Sequence, residues 1–267
     1  MATVLLDGLG IGESPRWHEG RLWLCNWTTG EVLAVDPEGR SFVVAHVPTT
    51  VPYSIDWLPD GTLLVVPGQE GTLLRQAPDG SLVTYADLTG IAPVFNELVV
   101  DQRGNAYVNG TVIAVVRPDG TARLVAEDLA FGNGMAITPD GRTLVVAESH
   151  AHRLTAFTIE DDATLSDRRL WADLGDGAPD GICLDADGAV WYADVPNRRC
   201  VRVREGGEVL QTVDVDRGAF ACMLGGDDGT TLFVLAARWR GMEHMFDGDR
   251  TGQVLVESVD VPHAGRP

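Results

Sequence analysis

Six tight turns, each set between two short apolar strands, recur at a nearly constant spacing along this chain. They are His18-Glu19-Gly20, Pro59-Asp60-Gly61, Gln102-Arg103-Gly104, Pro139-Asp140-Gly141, Ala186-Asp187-Gly188 and Asp227-Asp228-Gly229, and their glycines lie 41, 43, 37, 47 and 41 residues apart. A period near forty built from strands and turns predicts propeller blades, because one such unit cannot bury its apolar faces alone. The Asp-Gly pairs predict two-residue hairpins, which need residues that tolerate positive φ. A second hairpin follows in most units, as at Pro78-Asp79-Gly80 and Pro118-Asp119-Gly120, giving four strands per blade. The last unit offers only residues 252–261 for its outer part, so the N-terminal run Thr3–Leu9 is expected to supply its missing strand. The expected fold is all-β: a six-bladed β-propeller with four-stranded blades, one domain over residues 1–267, closed by the N-terminal strand.

Composition narrows the chemistry. All 20 basic residues are arginine, which removes Schiff-base catalysis by lysine and a phosphate-loop lysine. A formal charge of −19 argues against nucleic acid and anionic membrane surfaces as partners. The N-terminal residues lack the basic start and apolar run of a secretory signal, and no segment is long and apolar enough to span a bilayer. Cys25, Cys183, Cys200 and Cys222 are scattered within expected strands, and a reducing, cytoplasmic setting is expected.

The innermost strand of each blade lines the axis, so one rank read across all blades shows what gathers there. Counting eight residues back from the turn glycines gives Gly12, Tyr53, Asn96, Asn133, Asp180 and Ala221, with Glu13 seven back in the first blade. Glu13, Asn96, Asn133 and Asp180 thus form a candidate set of hard oxygen donors for one divalent cation. Calcium suits them best, magnesium or manganese are alternatives, and zinc is poorly matched without histidine or cysteine. The loops after the second strands should crowd the same mouth. They bring Trp27, Gln69 with Glu70, Asn109, Ser149 with His150, Asn197, and the long stretch 238–249, which is a candidate partial lid. His150 and His152 share one side of a strand end and are a candidate proton-relay pair.

The motifs Gly12-Glu13-Ser14-Pro15-Arg16-Trp17, Asn133-Gly134-Met135-Ala136 and Pro179-Asp180-Gly181-Ile182-Cys183-Leu184-Asp185 resemble those of the gluconolactonase/regucalcin (senescence marker protein) family over nearly the whole chain. The resemblance implies a six-bladed propeller with an axial divalent metal, often calcium or zinc, and hydrolysis of a small lactone. It implies that Glu13, Asn133 and Asp180 hold the metal, that Asp180 also serves the chemistry, and that Asn96 contacts metal or substrate. Trp27, Asn109 and His150 complete the expected substrate contacts. Where sugar-lactone hydrolases of this family carry an arginine two residues before that asparagine, this chain has Val94, and the loop after Asn109 is short. Both departures turn the expectation from gluconolactone toward a less polar lactone or ester, bound beside Val94, Phe95 and Trp27. Two other readings are a non-catalytic propeller that binds a partner protein or peptide, and a metal-dependent lyase or isomerase with His150 or Glu97 as base.

Overall fold

The computed structural model describes residues 2–48 and 51–265. Six four-stranded antiparallel sheets follow one another along the chain. Their inner strands are Gly12–His18, Tyr53–Trp57, Phe95–Val100, Gly132–Ile137, Pro179–Leu184 and Gly218–Gly225. Each lies against the inner strands of its two neighbours, so the ring is closed. In five blades the strands run outward in chain order. In the sixth, Thr3–Leu9 takes the outermost place beside Gly252–Ser258, with Thr3 opposite Val256 and Leu9 opposite Gly252. The expected propeller and its closure by the N-terminal strand are both found.

The apolar core lies between the blades. Leu64, Val66 and Leu73 of the second blade, for example, meet Leu98, Val100 and Val108 of the third. Second strands such as Leu63–Pro67 and Thr143–Glu148 are covered on both faces and read as nearly unbroken apolar runs, whereas outer strands such as Leu82–Asp87 are largely exposed. No helix among the described residues is long and apolar enough to cross a membrane.

The turns differ from expectation in one respect. Only the first is a two-residue hairpin, with Glu19 and Gly20 at φ 50° and 71° and His18 opposite Arg21. The others are longer: the second, third and fifth close over three residues, and the fourth, where Thr138 donates to the Thr143 carbonyl, closes over four. In the second, Leu58 donates to the Thr62 carbonyl at 2.9 Å, Gly61 donates to the Leu58 carbonyl at 2.9 Å, and Gly61 carries φ 84°. This is a type I turn followed by a glycine bulge. The aspartate there needs no positive φ; Asp60 Oδ1 instead accepts the Thr62 amide at 2.9 Å. The shorter first turn explains the one-residue offset of Glu13. Measured from the residue that opens each turn (His18, Leu58, Asp101, Thr138, Asp185, Gly226), the same rank five residues earlier falls on Glu13, Tyr53, Asn96, Asn133, Asp180 and Ala221.

The last expected strand ends at Ser258 rather than continuing to residue 261. Beyond it the tail turns across the turn face. Val259 donates to the Thr230 carbonyl, His263 to Gly229 and Ala264 to Leu184, while the Pro262 carbonyl accepts the Ala186 amide, all at 2.8–3.1 Å. It thereby ties the fifth blade to the sixth at the end opposite the mouth.

Candidate active site at the propeller mouth

Four of the inner strands are irregular where the candidate ligands sit. Strand pairing skips a residue between Phe95 and Glu97, between Gly132 and Met135, between Pro179 and Ile182, and between Glu13 and Arg16. Asn96, Asn133 and Asp180 thus occupy β-bulges, which free a side chain from the pleat and re-aim it. Glu13 is the last paired residue before its bulge, where Ser14 takes φ 50°. The glycines in Asn133-Gly134 and Asp180-Gly181 have a steric reason. A Cβ on Gly134 would stand 2.5 Å from the Ile182 nitrogen and 2.6 Å from the Asp180 oxygen, and one on Gly181 would stand 2.5 Å from the Ala221 Cβ. Neighbouring inner strands meet there backbone to backbone, which brings Asn133 beside Asp180.

The electrostatics show what the convergence costs. Burial, then the nearby Asp180 and Glu97 carboxylates, hold Glu13 well above the usual carboxylate range. Asp180 is pushed up to about 8 by burial, against a hydrogen bond from Asn133 that lowers it and with Glu97 raising it further. Asp180 remains partly open as a residue, yet its Oδ1 is shut off from solvent and has no hydrogen-bond partner. Among the described residues neither Glu13 nor Asp180 forms an ion pair, and no three His, Cys, Asp or Glu side chains converge on one point. Two carboxylates with Asn133 and Asn96 on the neighbouring bulges are the kind of oxygen donors that a hard cation such as calcium takes. The orphaned Asp180 oxygen fits such an ion.

Glu97 lies beneath this set. Its Oε1 accepts from Arg16 Nη2 at 3.0 Å, Ser14 Oγ at 3.1 Å and the Leu98 amide at 2.8 Å. Arg16 also donates to the Leu98 carbonyl at 2.6 Å. The sequence offers Glu97 only as a base for a lyase or isomerase; the structure makes it the countercharge of a buried arginine.

A second tier of polar residues, of which only Asn109 was expected at the mouth, stands at the ends of the second strands. Asn26 Oδ1 accepts the Gly10 amide at 3.1 Å, Asn109 Oδ1 the Glu97 amide at 3.2 Å, Glu148 Oε2 the Ala130 amide at 2.8 Å, and Asp194 Oδ1 the Ala178 amide at 3.3 Å. Each fixes the backbone beside one of Glu13, Asn96, Asn133 and Asp180. Glu148 and Asp194 are themselves held by Arg153 with Arg168 and by Arg199. The signal was in the sequence: the apolar runs Leu-Trp-Leu-Cys, Ala-Tyr-Val, Leu-Val-Val-Ala and Val-Trp-Tyr-Ala stop at Asn26, Asn109, Glu148 and Asp194.

The expected rim contacts fare differently. Asn109 has no exposed surface; its Nδ2 donates to the Asn133 carbonyl at 2.6 Å, so it braces the site instead of facing substrate. Phe95 is likewise buried in the core between blades, not in a pocket. Trp27 is half-buried, with Nε1 donating to the Tyr53 carbonyl at 2.8 Å. Asn96 is half-buried and donates to the Gly132 carbonyl at 3.4 Å. His150 is exposed and stacks on Phe131, with ring centroids 4.6 Å apart. His152 Nδ1 lies 2.8 Å from the Gly177 carbonyl, so the two histidines are engaged separately and the relay pair is not formed. The stretch 238–249 folds back at the mouth: Met245 is buried among Ile11, Val51 and Phe220, and Trp239 meets Phe220 edge to face at 5.5 Å.

Comparison with known proteins places this geometry. A family model described as the SMP-30/gluconolactonase/LRE-like region matches residues 11–238. The 6-deoxy-6-sulfogluconolactonase of Pseudomonas putida is 26% identical, the alignment covering 96% of this chain and 94% of that protein. A pentonolactonase of Haloferax volcanii is also 26% identical, over 96% and 93%. Among solved structures, a calcium-binding regucalcin of Agrobacterium tumefaciens superposes with a TM-score of 0.81 at 19% identity, covering all of this chain and 99% of that one.

Proposed function

Since the chain belongs to the SMP-30/gluconolactonase/LRE-like family, we propose that it is a lactone hydrolase working with one divalent cation at the axis, calcium before zinc, magnesium or manganese. The observation that carries this reading is the buried, unpartnered Oδ1 of Asp180 beside Glu13. A propeller that only binds a partner has no need to bury two like charges without a countercharge.

Glu13, Asp180 and Asn133 would hold the cation, with Asn96 at the edge of the set. Such an ion, when bound, supplies a Lewis acid that draws charge from an ester carbonyl. The protein's own residues do the rest. Asn133, beside Asp180, favours the charged form of its carboxylate. Asp180 receives the proton of the attacking water and passes it to the ring oxygen. One carbon–oxygen bond to water forms, the ring ester bond breaks, and a hydroxy acid leaves. Glu97, saturated on Oε1 by three donors, keeps Arg16 below the site without taking part. Gluconolactone is not the substrate in this reading, because Val94 offers no donor to sugar hydroxyls. A reducing, cytoplasmic setting belongs to the same reading and is supported by four buried free thiols.

The test is ring opening of a lactone panel by purified protein before chelation, after it, and after return of calcium, zinc, magnesium or manganese, with elemental analysis of the protein as isolated. Chelation should abolish turnover and one cation restore it. Asp180→Ala should lose at least about 10³-fold in kcat while keeping the native circular dichroism. Activity indifferent to chelator, or retained by Asp180→Ala, would overturn the assignment.

A further inference from the structure

The residues two places before the axial rank are Ile11, Val51, Val94, Phe131, Ala178 and Ala219. All six are apolar, so the collar leading to Glu13 and Asp180 has no side-chain hydrogen-bonding group at this level. Four of them are covered to different degrees, while Val94 and Phe131, on adjacent blades, are 40% and 48% exposed.

Phe131 is also strained. It carries φ 62°, a region a bulky aromatic residue rarely enters, and such strain persists only where the surroundings impose it. Its amide donates to the Leu129 carbonyl at 3.0 Å, and its carbonyl accepts the Ser149 amide at 3.1 Å. The ring is held out against His150, 4.6 Å away and 23° from parallel. The platform is continuous with the site, since Asn133 Nδ2 reaches Ser149 Oγ at 3.4 Å. Further round the mouth, Trp27 and Trp239 add aromatic surface, with the Trp27 N–H already taken by Tyr53. Of the two arginines in the neighbouring loop, Arg240 is committed to Asp247 and Asp249, and Arg238 is exposed beside Trp239.

On the lactone-hydrolase reading above, the geometry points to lactones bearing a hydrocarbon substituent as the substrate class, with that substituent lying on the Phe131–His150 stack and against Val94. The ring carbonyl then faces Asp180 while the chain leaves through the collar. Burial of each methylene favours binding in proportion to the area removed from water.

The experiment is a chain-length series from γ-butyrolactone to γ-decanolactone, with glucono-δ-lactone alongside, using calcium-loaded protein. In parallel, calorimetry follows binding of the hydrolysis-resistant lactams of the same lengths. kcat/KM should rise at least tenfold from the shortest to the longest lactone, chiefly through KM, and lactam affinity should rise with it. Phe131→Asn, whose new side chain tolerates the same backbone conformation, should flatten both gradients to less than threefold. Val94→Arg should do the same from the next blade. A flat series in the unaltered protein, or a preference for glucono-δ-lactone, overturns the substrate class and leaves hydrolysis standing. If no lactone is opened with any cation, the hydrolytic reading fails. The lactams then decide by themselves: length-dependent binding lost in Phe131→Asn supports the apolar platform, and its absence rejects it.

Discussion

Arg16 Nη2 donates to Glu97 Oε1 at 3.0 Å, and both side chains are almost closed to solvent inside the ring. Burial opposes the charge on Arg16, but Glu97 and then Asp56 outweigh it and raise its pKa, so this guanidinium faces two carboxylates beneath the mouth. Removing it should be costly. Arg16→Met is expected to lower unfolding free energy at neutral pH by about 3–5 kcal/mol, the range for breaking a buried pair from one side. Denaturant titration measures it, and saturating calcium or Glu97→Gln in the same chain should recover part of the loss. A change below about 1 kcal/mol would mean the pair carries no such burden.

The cation-free protein should grow less stable as pH rises. Asp180 is pushed up to about 8 and Glu13 lies well above the carboxylate range. Folded chains therefore keep protons that unfolded chains have already released, and the linkage slope is negative between the ordinary carboxylate value of 3.8 and about 8. Stability from this source is complete below that window and lost across it. Thermal melts from pH 4 to pH 9 in chelator should fall, and calcium should flatten the fall. Calcium binding should release protons at pH 6, read by calorimetry in two buffers of different ionisation heat. A melting temperature independent of pH in chelator would contradict the carboxylate arrangement.

Two buried aspartates at opposite ends of the fifth blade separate bracing from general stability. Asp194 accepts from the Ala178 amide and Arg199 near the mouth; Asp185 accepts from the Asp187 and Ala189 amides and Arg202 at the turn. Both Asp194→Asn and Asp185→Asn should lower the melting temperature. Only Asp194→Asn should weaken calcium binding, by about 10–100-fold, as loss of an outer support does. Equal affinities in the two variants would remove the bracing role.

Gly134→Ala should act on two readouts together. The new methyl group meets the backbone of Ile182 and Asp180, which cannot move aside as a side-chain tip can. A loss of about 1–3 kcal/mol is expected from overpacking, accompanied by weaker cation binding because the Asp180 strand is displaced. Wild-type affinity in this variant would show that the inner strands can part without disturbing the ligands.

The ring and its axial rank were legible because both rest on local chemistry. Turn glycines and apolar runs set the blades, and each candidate ligand stands a fixed count from its turn. Glu13 looked one residue out of place only because Glu19-Gly20 makes a shorter turn than Pro59-Asp60-Gly61, a difference in backbone conformation that similar turn sequences conceal. The misread residues are those whose fate depends on a neighbouring blade. Asn109 appeared free at a loop, yet its amide spans to Asn133 in the next sheet. Phe95 faces the space between sheets, and His152 turns to Gly177. The bracing tier of Asn26, Glu148 and Asp194 could have been seen as polar stops at strand ends, but their partners lie a loop away and appear only once the blades are assembled.

The pairing of Thr3–Leu9 with Gly252–Ser258 sets an order of events during synthesis. The segment made early has to wait for almost the whole chain to leave the ribosome before its partner strand exists, its backbone groups meanwhile open to water or to the wrong neighbour. A nascent molecule halted before the sixth sheet therefore holds an arc rather than a ring. Glu13 and Asp180 sit on opposite sides of the missing seam, so any affinity for an ion should appear only once the sixth sheet is in place.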